Sequence, residues 1–259
     1  MPAASRPLPV AGLLLDLDGV VHIREKPAPG SFAAIERLRA ARIPFRFVTN
    51  TTRRSRRRIV ADLDQMGLAL AEDEVLTPAS LVLELLRGRG LAPLFVIHPD
   101  LREDFVGVPE GVDAVVIGDA GHFFTYEALN RAFRALIHGA EFFALARNRN
   151  FRDSDGELSL DVGGFVAGLE YASGREAEVI GKPAPAFFHR AVEALGVPAR
   201  GVMMIGDDAE ADVGGAMAAG LMGALVKTGK YRPGQEDALA PPPTLVADNL
   251  ASVVDWILA

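Results

Sequence analysis

The sequence predicts an α/β fold: a Rossmann-like doubly wound parallel sheet with a smaller α/β domain inserted into it. Three observations predict this. Short apolar runs without polar alternation recur along the chain, as in strands buried on both faces of a parallel sheet. Four of these runs end in acidic, amide or basic residues, and ligands of such sheets collect beyond the carboxyl ends of the strands. The four ends are also unevenly spaced, with 30 residues between Asp18 and Thr49 but 130 between Thr51 and Lys182. The first gap holds a flap and one helix, whereas the second is long enough for a domain.

The first run, Gly12-Leu13-Leu14-Leu15 after Ala11, leads into Asp16-Leu17-Asp18-Gly19. Two carboxylates so close repel unless a cation or a shared proton intervenes, although Asp-Gly alone also fits a solvated turn. A helix is expected over Phe32 to Ala41. After Pro44, the run Phe45-Arg46-Phe47-Val48 ends in Thr49-Asn50-Thr51-Thr52, whose hydroxyl and amide groups suit either phosphate oxygens or a helix cap. Within the long gap we expect strands at Leu94–Ile97, Ala114–Ile117 and Phe142–Ala146, with helices at Tyr126–Ile137 and near Phe165–Tyr171. Borders of this insert are expected near Thr77-Pro78 and Arg175–Glu178, giving a core of residues 1–78 and 178–259 and an insert of 79–177.

Glu178-Val179-Ile180-Gly181 then leads into Lys182-Pro183, where a helix should start. The chain has 23 Arg and four Lys, so a lysine at a strand mouth suggests a need for a compact point charge. The fourth run, Val202-Met203-Met204-Ile205, empties into Gly206-Asp207-Asp208-Ala209-Glu210-Ala211-Asp212. Asp208 and Asp212 would share a face if the helix has begun there. Beyond it, Pro241-Pro242-Pro243 forms a stiff loop, Thr244-Leu245-Val246 a short strand, and a helix ending near Trp256 closes the core.

Asp-x-Asp, Thr-Asn, Lys and Gly-Asp-Asp in this order resemble the four motifs of the haloacid dehalogenase superfamily of phosphoryl-transfer enzymes. Gly181-Lys182-Pro183, Asp212-Val213-Gly214-Gly215-Ala216 and Lys227-Thr228-Gly229-Lys230-Tyr231 are similar to subfamily IIA, whose insert is a C2-type cap. This branch holds pyridoxal-phosphate phosphatase. In two other groups of the branch some members carry Ser where this chain has Asp18; here the second acid is present, which favours a complete catalytic set. The resemblance implies Asp16 as nucleophile, Asp18 as general acid and base, and Mg²⁺ held by Asp16, Asp207 and the Asp18 main-chain carbonyl. It also implies Thr49, Asn50 and Lys182 around the phosphoryl group, with Asp208 and Asp212 behind them, Asp212 orienting Lys182 or a metal-bound water. Around the cap it points to Tyr126 and to the loop with Asn148, Phe151 and Arg152 as substrate contacts, and to a homodimer formed through the cap.

Composition bounds the alternatives. Net charge of −7 speaks against nonspecific nucleic-acid binding, although Arg53, Arg54, Arg56, Arg57 and Arg58 form a dense basic cluster that is either a solvated helix face or a steering patch for anionic substrates. Zero Cys excludes thiolate chemistry and agrees with a reducing cytoplasm. No apolar run approaches the ~20 residues that span a bilayer, and the first apolar stretch is the motif strand itself, so neither membrane attachment nor a cleaved signal peptide is expected. The five His residues lack ligand spacing and read as structural or surface residues. A phosphatase for small phosphorylated metabolites leads. A phosphotransferase would need to keep water from the intermediate, a dehalogenase needs no second acid, and a silent binding module would not need the full set of acids.

Overall fold

The structure, a computed structural model, describes residues 9–152 and 157–259, apart from the side chain of Arg152. Residues 1–8, part of the stretch read as lacking a signal peptide, lie outside the described residues. The chain forms two compact units: Met1–Thr49 with Met66–Leu68 and Phe188–Ala259, and Asn50–Gln65 with Ala69–Phe187. Residues 79–177 fall wholly within the second unit.

In the first unit, parallel strands run in the order Leu245–Ala247, Met222–Val226, Val202–Gly206, Gly12–Asp16, Phe45–Val48. Every residue of Gly12–Asp16 and of Val202–Gly206 is buried, which is why both appear in the sequence as unbroken apolar runs. The register pairs Leu15 with Ile205 on one side and Asp16 with Val48 on the other. From the first strand the chain moves outward to Phe45–Val48, while Val202–Gly206 returns on its opposite flank. Strand order therefore reverses at Gly12–Asp16, and in open α/β sheets the crevice at such a switch point binds ligands. Helices Ser31–Ala40 and Leu250–Leu258 pack together, and each buries apolar residues at helical spacing, Ala34, Ile35 and Leu38 in the first and Leu250, Val253 and Val254 in the second. Arg37 and Asp255 tie them at 2.6 Å, and Asn249 caps the second by accepting from the Ser252 amide.

In the second unit, four parallel strands run in the order Glu178–Val179, Glu141–Ala144, Ala114–Ile117, Pro93–Val96. Helices Tyr126–Ile137 and Val162–Ser173 pack against each other, and Leu136, Val166 and Leu169 join Val115, Ile117 and Phe142 in one core. The helix expected near Phe165 starts three residues earlier, because Asp161 accepts from the Val162 amide at 2.6 Å and fixes the N-terminus there. The expected loop, which the sequence also allows to be a plain exposed β-loop, leads into an antiparallel pair, Asn150–Arg152 with Leu158–Leu160. Thr77, read as a border, is the N-cap of helix Pro78–Arg89 and exchanges bonds with Ser80. Among the described residues no helix is long and apolar enough to cross a membrane.

Candidate active site

The first unit gathers three acids at its switch point. Asp16 is the last residue of its strand, and Asp207 follows Val202–Gly206 directly. Each offers an oxygen to a cluster with Asp212 in which these oxygens lie within 4.8 Å of one another. All three are buried, Asp207 and Asp212 at 1% and 2% exposure. Carboxylates this crowded and this dry call for a cation or a shared proton. The donor set is all oxygen, with neither imidazole nor thiolate, and that composition fits a hard divalent ion such as Mg²⁺.

Asp212 enters the cluster by a route that residue spacing does not show. The segment Ala209–Gly214 is a π-helical turn, in which the Val213 amide donates to the Asp208 carbonyl at 3.3 Å. Asp208 is not on the helix face with Asp212, as the spacing suggested. It is the N-cap, its Oδ1 accepting from the Glu210 and Ala211 amides at 3.1 and 2.9 Å, while its own amide donates to Asp212 Oδ2 at 3.2 Å.

The loop after Met222–Val226 supplies parts that sequence reasoning missed. The Lys230 amide donates to Asp207 Oδ2 at 2.6 Å, and the Lys230 ammonium lies 3.8 Å from Asp208 Oδ2. Desolvation pulls this ammonium down, but the charges of Asp16, Asp208, Asp207 and Asp212 outweigh it and hold its pKa above the ordinary lysine value. Gly19 and Gly229 flank the same oxygen in left-handed conformations, φ 87° and 54°, and a Cβ at either would fall 1.9 Å from Asp207 Oδ2. The available signal was Thr228-Gly229-Lys230, quoted for its resemblance but given no role. We expect Gly229→Ala to cost on the order of 1–3 kcal/mol from backbone strain and overpacking, and to displace Asp207. Denaturant unfolding checks this; a variant as stable as the parent would mean that the loop yields freely.

Asp18 lies outside this cluster. Its side chain is 66% exposed and comes within 3.5 Å of His22 Nδ1, which also contacts the Arg24 carbonyl at 2.8 Å. Thr49 is buried at the end of Phe45–Val48.

In the second unit Asn50 and Lys182 are joined reciprocally. The Asn50 amide donates to the Lys182 carbonyl at 2.8 Å, and the Lys182 amide donates to Asn50 Oδ1 at 2.8 Å. Asn50 thus holds the backbone that carries the buried Lys182. The arginines of the basic cluster are paired: Arg53 with Asp119, Arg54 and Arg58 with Asp62, Arg56 with Glu72, Arg57 with Glu103. The Glu103 carboxylate, bonded to Arg57 and to the Ser55 hydroxyl, is held below its ordinary range, whereas burial raises Asp104, whose oxygens accept from the Arg56 amide. A bare steering patch is therefore not what the cluster forms. Tyr126 opens its helix 83% exposed, the Asn148 carbonyl accepts from the Gly163 amide at 2.9 Å, and the Arg152 side chain lies outside the described residues. Phe151 lies beneath the Arg53 guanidinium. Asp119 went unnoticed in the sequence, although Ile117-Gly118-Asp119 repeats the pattern of Ile205-Gly206-Asp207.

Residues 13–108 match the family model described as haloacid dehalogenase-like hydrolase, and residues 179–253 match a second, HAD-hydrolase-like model. Over 96% of its length the chain is 41% identical to the phospholysine phosphohistidine inorganic pyrophosphate phosphatase of Rattus norvegicus, covering 94% of that protein. The chain belongs to the haloacid dehalogenase-like hydrolase family. It is also 40% identical to the human haloacid dehalogenase-like hydrolase domain-containing protein 2, with 95% of each chain covered. Among solved structures, the 4-nitrophenylphosphatase of Thermotoga maritima superposes with a TM-score of 0.87 at 27% identity, over 95% of this chain and 97% of that one. The glycerol phosphate phosphatase of Mycobacterium tuberculosis, solved with magnesium, superposes with a TM-score of 0.83 at 30% identity, over 93% of this chain and 76% of that one. Family membership and these relatives identify the protein as a phosphatase, on the α/β fold that its motifs led us to expect.

Proposed function

We propose that the protein is a Mg²⁺-dependent phosphatase that hydrolyses small phosphorylated metabolites through an aspartyl-phosphate on Asp16. The observation that carries the reading is the buried triad Asp16, Asp207 and Asp212 at the switch point of the sheet. A relative solved with magnesium supports the choice of ion. On this reading the catalytic core is 1–78 with 178–259, and the cap is 79–177. The enzyme works in the cytoplasm, with a second copy of the chain as partner through the cap.

Asp16 attacks phosphorus and forms the acyl phosphate while the P–O bond to the leaving group breaks, and Asp18 gives that oxygen its proton. Asp18, now a carboxylate, takes a proton from water, which attacks the same phosphorus and frees phosphate and Asp16. Exposure of Asp18 suits both tasks, since leaving group and water must each reach it. Asp16, Asp207 and the Asp18 carbonyl would hold Mg²⁺, with Asp212 beside them, and the ion supplies charge neutralisation for an anionic nucleophile approaching an anionic ester. Lys182 adds a second positive charge, and Asn50, bonded to its backbone, sets where that charge stands. Thr49 and Asn50 contribute donors to the equatorial oxygens of a loose transition state.

Phosphate release from p-nitrophenyl phosphate should vanish in EDTA and return with Mg²⁺. Ca²⁺ should inhibit, because it prefers more ligands and looser geometry than an in-line displacement tolerates. Full turnover by metal-free protein would refute the proposal.

A further inference from the structure

Arg53 is the first residue after the Thr49–Thr52 cluster, and it is held on several sides within the second unit. Its Nε lies 2.6 Å from Asp119 Oδ2, and its guanidinium carbon sits 5.1 Å from the centre of the Phe151 ring. Asp119 is itself fixed, 9% exposed, its Oδ1 accepting from the Gly121 amide at 3.0 Å and its amide donating to Thr52 Oγ1 at 3.1 Å. Gly121 leaves room for the arginine: a Cβ there would come within 3.3 Å of Nη2. Asp161 spends an oxygen on the Val162 amide, and Arg149, exposed on the Phe151 loop, adds positive charge.

A long, flexible side chain is thus immobilised while 42% of it stays open to solvent. Ion pairing alone does not ask for that. Arg54, Arg57 and Arg58, at 62%, 67% and 65% exposure, pair with Asp62 and Glu103 while staying more open. Nε is buried and faces Asp119, and the two Nη nitrogens are the edge that takes a carboxylate or phosphate in bidentate fashion. Rigid support from Asp119 and Phe151 is what a recognition arginine needs, because the ordering has been done before the ligand arrives. The ring face turned to Arg53 is occupied, which disfavours stacking of a planar leaving group there.

We propose that Arg53 determines specificity by binding a second anionic group on the leaving group, so that the preferred substrates are phosphate esters of small hydroxy acids or of other anionic alcohols. This rests on the proposed reading in which Asn50 and Lys182 hold the phosphoryl group. Asn50 and Arg53 are three residues apart, at most ~11 Å of extended chain, a span that one small bifunctional molecule covers.

The test compares 3-phosphoglycerate with glycerol 3-phosphate, which differ in a carboxylate against a hydroxymethyl group, using the full chain with Mg²⁺. The parent should favour 3-phosphoglycerate in kcat/KM. Arg53→Gln should lower the ratio of the two kcat/KM values by about 10- to 100-fold, mostly through KM for 3-phosphoglycerate, as expected for loss of a charge-assisted hydrogen bond. Arg53→Lys, which keeps the charge but not the fork, should fall between. An unchanged ratio in either variant, whatever the absolute rates, overturns the proposal. Should the parent release phosphate from neither compound, p-nitrophenyl phosphate with Mg²⁺ tells the failures apart: no release from it counts against the phosphatase reading, and release from it leaves that reading standing. Calorimetric binding of 3-phosphoglycerate then decides about Arg53: weaker binding to Arg53→Gln than to the parent upholds it, and equal binding overturns it.

Discussion

Asp16→Asn should abolish turnover and, in EDTA, leave the chain folded and more heat-resistant than the parent. The first half follows from chemistry. An amide cannot form the acyl phosphate, and removing a covalent nucleophile costs on the order of 10⁴–10⁶ in kcat. The second half follows from crowding. The Asp16, Asp207 and Asp212 oxygens lie within 4.8 Å of one another, and two unit charges at that distance repel by about 3 kcal/mol at an effective dielectric of 20. The Lys230 ammonium offsets part of this, being drawn to the same acids. A net gain of about 1 kcal/mol should remain when one charge is removed, or roughly 2–4 °C in Tm for a chain of this size. Added Mg²⁺ should stabilise the parent more than the variant. Calorimetric melting with and without metal measures both, and a variant that melts lower than the parent in EDTA would mean that the acids are held by bonds worth more than their repulsion.

Much of this arrangement was legible because burial imposes a simple pattern. Gly12–Asp16 and Val202–Gly206 are covered on both faces, so their sequences are apolar without interruption, and the acids that end them stand out against that background. The course of the chain at Asp212 was not legible. Its approach depends on a π turn, and no spacing rule distinguishes a wide turn from an α-helix before the backbone is seen. The joining of Asn50 to Lys182 was hidden for another reason: the partners are 132 residues apart, and an amide at a strand end offers the same donors to a phosphate or to a peptide. The basic cluster misleads in the same way. Arg54 and Arg58 read as a solvated face or a steering patch until Asp62, one turn beyond Arg58 in helix Arg56–Gln65, closes on both. Lys230 was given no role because a glycine–lysine loop is informative only once Gly19 and Gly229 are seen against Asp207.

Asp18→Asn should separate the two halves of the reaction. As acid to the leaving group and then base to water, Asp18 contributes to both steps, but p-nitrophenolate leaves readily and needs little protonation. The acyl phosphate should therefore form at a modestly reduced rate and then persist, since hydrolysis loses general-base help worth roughly 10²–10⁴-fold. Folding should not suffer, because the Asp18 side chain is 66% exposed and its near neighbour is His22 at 3.5 Å, a contact that an amide can keep. Metal affinity should change little, since the part of Asp18 assigned to the ion is its backbone carbonyl, which the substitution leaves in place. Rapid-quench kinetics should show a burst of one nitrophenol per active site followed by a slow steady phase, with radiolabelled phosphate retained on the protein during that phase. A proportional loss in both phases, without a burst, would mean that Asp18 shapes the turn between Asp16 and His22 and leaves the proton transfers to another group.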